Sequence, residues 1–342
     1  MSHSEHILLI YTGGTIGMVP HPVTGVLQPF SLQGLLSRMP ELERLHCSLD
    51  LKSFEAPVDS SDMNVIRWQQ LAQMIADAYH DYDGFVILHG SDTMAFTASV
   101  LSFMLSNLQK PVVLTGSQLP IGVMRSDARE NLLTALEIAS SRDAEGKPMV
   151  PEVCVYFEYD LYRGNRVHKE NTDDFEAFRS PNYPKLAEAG VRLKFRTEHI
   201  LKREGSFELH SALDARVGVI YLLPGIDPHW VRQQLMMDDY HAFILLSFGS
   251  GNGPTAPDFL EVLREAVSQG KVLVNVSQCR MGSVVQGQYA GSEALRDVGV
   301  IGGGDILVEA AWAKLMHLLA KGLKGRDLEA AFAQPICGEM SL

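Results

Sequence analysis

Ile7-Leu8-Leu9-Ile10-Tyr11-Thr12-Gly13-Gly14-Thr15 is an apolar run that stops on two glycines and a threonine, and the chain uses that design twice more. Gly84-Phe85-Val86-Ile87-Leu88 leads into His89-Gly90-Ser91-Asp92, and Val112-Val113-Leu114-Thr115 leads into Gly116-Ser117-Gln118. Short continuous runs of Val, Ile and Leu bounded by turn residues read as strands buried on both faces, the mark of a parallel sheet. Val153 to Phe157 is a fourth run of this kind. Between them, Val65 to Tyr79 sets Ile66, Leu71, Met74, Ile75 and Ala78 on one stripe, with Asp62 or Asn64 able to cap it, and Ala128 to Ala139 reads similarly.

The expected fold class is therefore α/β in two domains. The larger is N-terminal, a parallel or mixed sheet flanked by helices over residues 1–195. Lys194 to Asp214 is charged and aperiodic, so 196–214 reads as a linker, and 215–342 as a smaller C-terminal α/β domain. Its expected strands are Val217 to Leu223, Phe243 to Leu246 and Val272 to Val276, with helices near Pro257 to Gln269 and Asp305 to Ala320. A length of 342 residues agrees with two cores rather than one.

Composition narrows the partners. There are 46% hydrophobic and 20% charged residues, as in ordinary globular domains. The net charge of -12, with no Lys/Arg cluster, disfavours nucleic acid, whose affinity comes mainly from phosphate neutralisation. The four cysteines show no C-x-x-C spacing, so neither disulfide framework nor zinc site is expected. Only a short apolar stretch precedes Thr12-Gly13-Gly14, which predicts no secretory leader and a cytoplasmic location. The uncharged run Thr93 to Gln109 carries several hydroxyl residues and is too short to span a bilayer, so it reads as a buried core helix and no membrane partner is expected.

In open α/β sheets a ligand binds outside the carboxyl ends of the strands, where glycines let backbone amides approach and small hydroxyls reach the ligand. A dinucleotide would need G-x-G-x-x-G and a following acidic residue, but Ile7 through Pro40 contains no Asp or Glu. No G-x-x-x-x-G-K-[ST], H-E-x-x-H or G-x-S-x-G occurs either, so no cofactor and no metal are expected. Hydroxyls on glycine turns do suit nucleophilic attack on an amide, which requires an exposed oxygen, N–H groups for the oxyanion and a base. A lone Thr after a strand more often just bonds locally; three such turns in one domain argue for a shared pocket.

Thr12-Gly13-Gly14-Thr15-Ile16-Gly17 and His89-Gly90-Ser91-Asp92-Thr93-Met94 resemble the paired motifs of bacterial-type asparaginases. Asp59-Ser60-Ser61-Asp62-Met63, Thr115-Gly116-Ser117-Gln118, Arg163-Gly164-Asn165-Arg166 and Gly251-Asn252-Gly253 extend the resemblance over nearly the whole chain, towards the type I, cytoplasmic branch. The resemblance implies hydrolysis of L-asparagine with Thr15 as nucleophile, and Ser91, Asp92 and Lys169 moving the proton. A lysine serves as base only as the neutral amine, which burial favours. It further implies that Ser60, with Asp59 and Ser61 beside it, belongs to the segment that binds the substrate α-carboxylate, and that Ser91 and Asp92 also contact the substrate, Asp92 facing the α-ammonium group. Asn252 would reach the site of a neighbouring subunit, which implies a homodimer or homotetramer.

Three departures from the family stand out. Ser91 replaces the usual Thr and loses the methyl that restricts χ1. No tyrosine lies in Val23 to Pro29, so lid closure is expected from Val26 and Leu27, and Tyr11 stays outside the catalytic set. Cys279 fits the second, regulatory asparagine site of some type I enzymes, but His168 stands where that site has threonine. Two other readings remain open: a transfer-RNA-dependent amidotransferase subunit, disfavoured by the acidic charge and by the short stretch before the first motif, and a non-catalytic asparagine or aspartate sensor.

Overall fold

A computed structural model describes residues 4–20, 24, 27–29, 34, 39–202 and 204–341. The chain divides into two units, Met1–Ser211 and Ala212–Leu342.

The first unit is built on an eight-stranded mixed sheet. Its strands are β1 (Glu5–Gly13), β2 (Cys47–Val58), β3 (Gly84–Leu88), β4 (Val112–Thr115), β5 (Val153–Phe157), β6 (Asp160–Arg163), β7 (Ala187–Ala189) and β8 (Leu193–Phe195). They lie in the order β8-β7-β6-β5-β4-β3-β1-β2. The five strands from β2 to β5 run parallel, and β6, β7 and β8 are added antiparallel. Crossover helices α1 (Val65–Asp77), α2 (Met94–Met104) and α3 (Ala128–Ser140) connect the parallel strands. Because side chains alternate along a strand, Ile7, Leu9, Val86 and Leu88 pack with Leu132, Leu136 and Ala139 of α3, whereas the equally buried Leu8, Ile10, Phe85 and Ile87 point to the opposite face.

Asn64 caps α1 by accepting the Arg67 N–H. Helix α2 is buried nearly all round, which explains why its sequence is uncharged, with only small hydroxyl residues among the apolar ones, rather than amphipathic. It ends at Met104, short of the expected Gln109, because Leu105–Ser106 is extended and pairs antiparallel with Glu208–Leu209. No described helix is long and apolar enough to cross a membrane.

Residues 196–202 and 204–211, expected as linker, pack within the first unit. Arg163 and Glu152 form a buried ion pair at 2.7 Å, and their spare hydrogen-bonding groups hold the His199 carbonyl and the Leu201 N–H. A charged, aperiodic sequence can thus be fixed by buried charges that no local pattern announces.

The second unit has a parallel sheet of β9 (Val217–Tyr221), β10 (Ala242–Ser247), β11 (Val272–Ser277) and β12 (Ile301–Gly302), in that order. Helices α4 (Pro228–Leu235), α5 (Pro257–Ser268), α6 (Ala290–Asp297), α7 (Val308–Ala320) and α8 (Gly325–Phe332) complete it. Phe243, Leu245 and Leu273 meet Phe259, Leu263 and Leu295 in one core. The two-domain α/β class expected from the sequence is the one observed.

Candidate active site

The three glycine turns converge at the carboxyl ends of β1, β3 and β4, and they do so by backbone contact. Gly13 and Gly14 adopt φ of 132° and 91°, in the region only glycine enters without strain. A Cβ on Gly13 would lie 2.1 Å from the Val58 carbonyl oxygen, and one on Gly14 2.5 Å from the Gly90 nitrogen. A Cβ on Gly90 would meet the Ser60 hydroxyl at 2.6 Å, and one on Gly116 the His89 oxygen at 2.3 Å. The glycines are required because neighbouring chain segments occupy the space a side chain would need.

Between these turns lies a cavity of about 180 Å³ lined by Gly14, Thr15, Met18, Asp59, Ser60, Gly90, Ser91, Asp92, Gln118, Lys169 and Thr172. Thr15 opens a short 3₁₀ turn directly after β1. Lys169, on a two-residue strand paired with Phe178–Arg179, donates to Ser91 Oγ at 2.9 Å and to Asp92 Oδ1 at 2.5 Å. The lysine side chain is 14% exposed and that of Asp92 67%, so the ion pair spans the cavity wall from interior to solvent. Ser91 Oγ in turn donates to Gln118 Oε1 at 3.3 Å, and Gln118 is anchored by its Nε2–H to the Asp174 carbonyl.

Also lining the cavity, Asp59 accepts through Oδ1 both the N–H and the hydroxyl of Ser61. The backbone N–H, then the hydroxyl, hold the Asp59 carboxyl below the usual carboxylate range, so it is anionic at neutral pH. Ser60 is buried, and its carbonyl accepts the Thr93 hydroxyl at 2.6 Å, which joins this segment to the turn after β3.

The structure therefore brings Thr15, Asp59, Ser60, Ser91, Asp92 and Lys169 around one cavity. Ser61 is exposed, tied to Asp59, and not among the lining residues. Gln118, Met18 and Thr172 line the cavity and were not singled out from sequence; Gln118 could have been, because it closes the third glycine turn. Asn252 lies in the second unit, half-buried in a turn closed by its N–H to the Phe248 carbonyl. His168 precedes Lys169 in the first unit, and Cys279 is exposed in the second. Of the expected lid, Val26 and the Leu27 side chain lie outside the described residues.

Tyr11 is buried with its hydroxyl under the first turn, where a Cβ on Gly17 would lie 2.1 Å from it. Burial pushes its pKa to about 12, which keeps the phenol protonated and unsuited to act as a base at neutral pH. Among the described residues no group of three or more His, Cys, Asp or Glu side chains is arranged to hold a metal.

The N-terminal asparaginase family profile matches residues 6–201, and the glutaminase/asparaginase C-terminal domain profile matches 216–332. L-asparaginase 1 of Escherichia coli (strain K12) is 43% identical over 344 residues, covering 98% of each chain. The 60 kDa lysophospholipase of Mus musculus is 41% identical over 370 residues, covering 100% of this chain and 64% of the mouse protein. The crystal structure of L-asparaginase I from Vibrio cholerae O1 biovar eltor superposes with a TM-score of 0.90 at 41% identity, covering 99% of this chain and 100% of that one.

Proposed function

The chain belongs to the asparaginase family, and from that premise we propose that it hydrolyses the side-chain amide of L-asparagine to L-aspartate and ammonia through an acyl intermediate on Thr15. The observation that carries this reading is the sharing of one small cavity by Thr15, on its glycine turn, and a lysine amine in contact with both Ser91 and Asp92. The cavity is well under the volume of pockets for drug-sized ligands and suits a single amino acid.

In this mechanism Lys169 acts as the neutral amine: the Thr15 oxygen attacks the amide carbon while its proton passes to Ser91 Oγ and the Ser91 hydroxyl proton passes to Lys169. The C–N bond breaks, the nitrogen takes up the proton, and ammonia leaves. Water then cleaves the ester, releasing aspartate and restoring the hydroxyl. In this reading backbone amides of the glycine turns that line the cavity stabilise the oxyanion. Asp59 and Asp92 supply negative charge for the α-ammonium, and the Ser60 segment takes the α-carboxylate. With both α groups held, one extra methylene displaces the amide, so glutamine should be turned over ~10–200-fold less efficiently. We further assign Asn252 a role in a neighbouring copy's site within a homodimer or homotetramer, and the protein a cytoplasmic location.

The test is Thr15→Ala. Ammonia release from L-asparagine should vanish while L-aspartate binding, measured by calorimetry, persists. Full turnover in that variant would remove Thr15 from the chemistry, and aspartate binding by the wild type without any ammonia release would instead indicate a sensor.

A further inference from the structure

His89 lies at the end of β3, directly before Gly90 and Ser91, and is 1% exposed. Its Nδ1 is 2.7 Å from the Gly90 carbonyl oxygen, and its Nε2 is 2.9 Å from Thr97 Oγ1. Trp68 Nε1 donates to the same Thr97 oxygen at 2.9 Å. The chemistry of these groups allows one assignment of protons. A carbonyl only accepts, so Nδ1 carries hydrogen; the neutral ring then has an acceptor at Nε2, which takes the Thr97 hydroxyl proton, and the indole N–H, a donor only, completes the chain. Burial drives the imidazole pKa down to about 4, against the opposing pull of the Gly90 carbonyl, so the ring remains neutral.

The result is a directional run of donors from α1 (Trp68) through α2 (Thr97) to the turn after β3, in which Trp68, Thr97 and His89 are each at most 4% exposed. Its end point matters because the peptide group is planar: fixing the Gly90 carbonyl oxygen also fixes the Ser91 N–H, which points the opposite way. Gly90 has no side chain of its own to resist rotation of that plane. The brace supplies the resistance from His89, which is buried and not among the residues that line the cavity with Gly90 and Ser91.

We propose that His89 is a positioning residue whose hydrogen bond to the Gly90 carbonyl, braced by Thr97 and Trp68, sets the Gly90–Ser91 peptide plane and with it the contact of Ser91 with Lys169. This rests on the function proposed above, in which Ser91 and Lys169 move the proton. It predicts different outcomes for two substitutions of similar size. His89→Asn places an amide nitrogen near the Nδ1 position and keeps the donor to Gly90, whereas His89→Gln keeps a partner for Thr97 and loses that donor.

The experiment combines kinetics with nuclear magnetic resonance on the full chain. In wild-type protein the ¹⁵N spectrum of His89 should show the neutral Nδ1–H form; the Nε2–H form or a protonated ring at pH 7 overturns the proposal. His89→Gln should lower kcat for L-asparagine by ~10²-fold, the cost of a misplacement on the order of 1 Å, with KM changed by less than ~3-fold. His89→Asn should keep kcat within ~5-fold, and Thr97→Val should fall between them. Equal losses in the Asn and Gln variants, tracking only their thermal stability, would reduce His89 to a structural core residue and overturn the proposal. If the wild type releases no ammonia, the proposed function fails, and the Ser91 amide resonance decides on His89. It should move and exchange faster in His89→Gln but not in His89→Asn, and an unmoved resonance in both overturns the assignment. Should His89→Gln not fold, the Thr97→Val rate and the wild-type tautomer decide in its place: an unchanged rate in Thr97→Val, or the wrong tautomer, overturns the proposal.

Discussion

Gly14 and Gly90 meet backbone to backbone: a Cβ added to Gly14 would stand 2.5 Å from the Gly90 nitrogen and 2.6 Å from its Cα. The first and second strand-end turns are thus one packed unit, and the placement of Thr15 relative to Ser91 depends on neither glycine carrying a side chain. Gly14→Ala must relieve this clash and also hold alanine at a φ of 91°. Together these should destabilise the first unit by about 2–4 kcal/mol and remove most turnover. Thermal unfolding and ammonia release read both effects; a variant with wild-type melting and wild-type rate would show that the turns separate more easily than described.

Lys169 is expected to matter for rate and little for folding. Its ion pair with Asp92 has a largely exposed acidic partner, and pairs of that kind contribute only about 0–1 kcal/mol. Lys169→Met should therefore melt close to wild type while losing ~10³-fold or more in kcat, since nucleophile and base act as a unit. A large drop in melting temperature with modest loss of rate would recast Lys169 as structural.

The second unit contains the opposite kind of pair. Lys314 and Glu339 lie 2.6 Å apart with both side chains fully buried. Lys314 also donates to the carbonyls of Phe332 and Gln334, and Glu339 accepts the Ile336 and Cys337 N–H groups, so the pair ties the last turn of chain to α7. Removing one partner leaves a buried uncompensated group. Glu339→Gln should cost about 3–5 kcal/mol, whereas the double change Lys314→Met with Glu339→Gln, which removes the stranded charge and keeps an acceptor for the Ile336 and Cys337 N–H groups, should recover part of it. Urea titration of the three proteins checks this, and a double variant no better than the single would contradict it.

Two groups shape the pH dependence of stability. Burial, reinforced by Asp127, Glu130, Glu176 and Asp174, raises the Glu158 carboxyl from 4.5 to about 7. The folded state then binds more protons than the unfolded one between those values, so stability should fall as pH rises from about 4.5 to about 7 and level off above. Glu158→Gln should flatten this decline. His89 acts with the opposite sign: its folded value near 4 lies below the ordinary 6.5, so its contribution is complete above 6.5 and is lost as pH falls towards 4. Denaturant midpoints measured from pH 4 to pH 8 separate the two, and an unchanged slope in Glu158→Gln would refute the first assignment.

Elements whose signals are local can be read from the order of residues alone. β1, β3, β4 and β5 are continuous apolar runs because both faces are buried, and Thr15, Ser91 and Asp92 could be located because each lies within two residues of a glycine that ends such a run. Strand β2 differs: at the sheet edge, its Cys47, Leu49 and Leu51 pack against the core while Ser48, Asp50 and Lys52 are exposed, an alternating pattern rather than the continuous apolar run that marks the inner strands. The antiparallel strands β7 and β8 are three residues each, too short for periodicity to register. What the tertiary structure alone decided are the contacts between residues far apart in the chain. Lys169 reaches Ser91 across 78 positions, Gln118 reaches Ser91 across 27, and the buried chain through His89 draws on Trp68 and Thr97 from two different helices. A hydrogen bond depends on a few tenths of an ångström and on direction, which are set by how strands and helices stack; spacing along the chain carries neither.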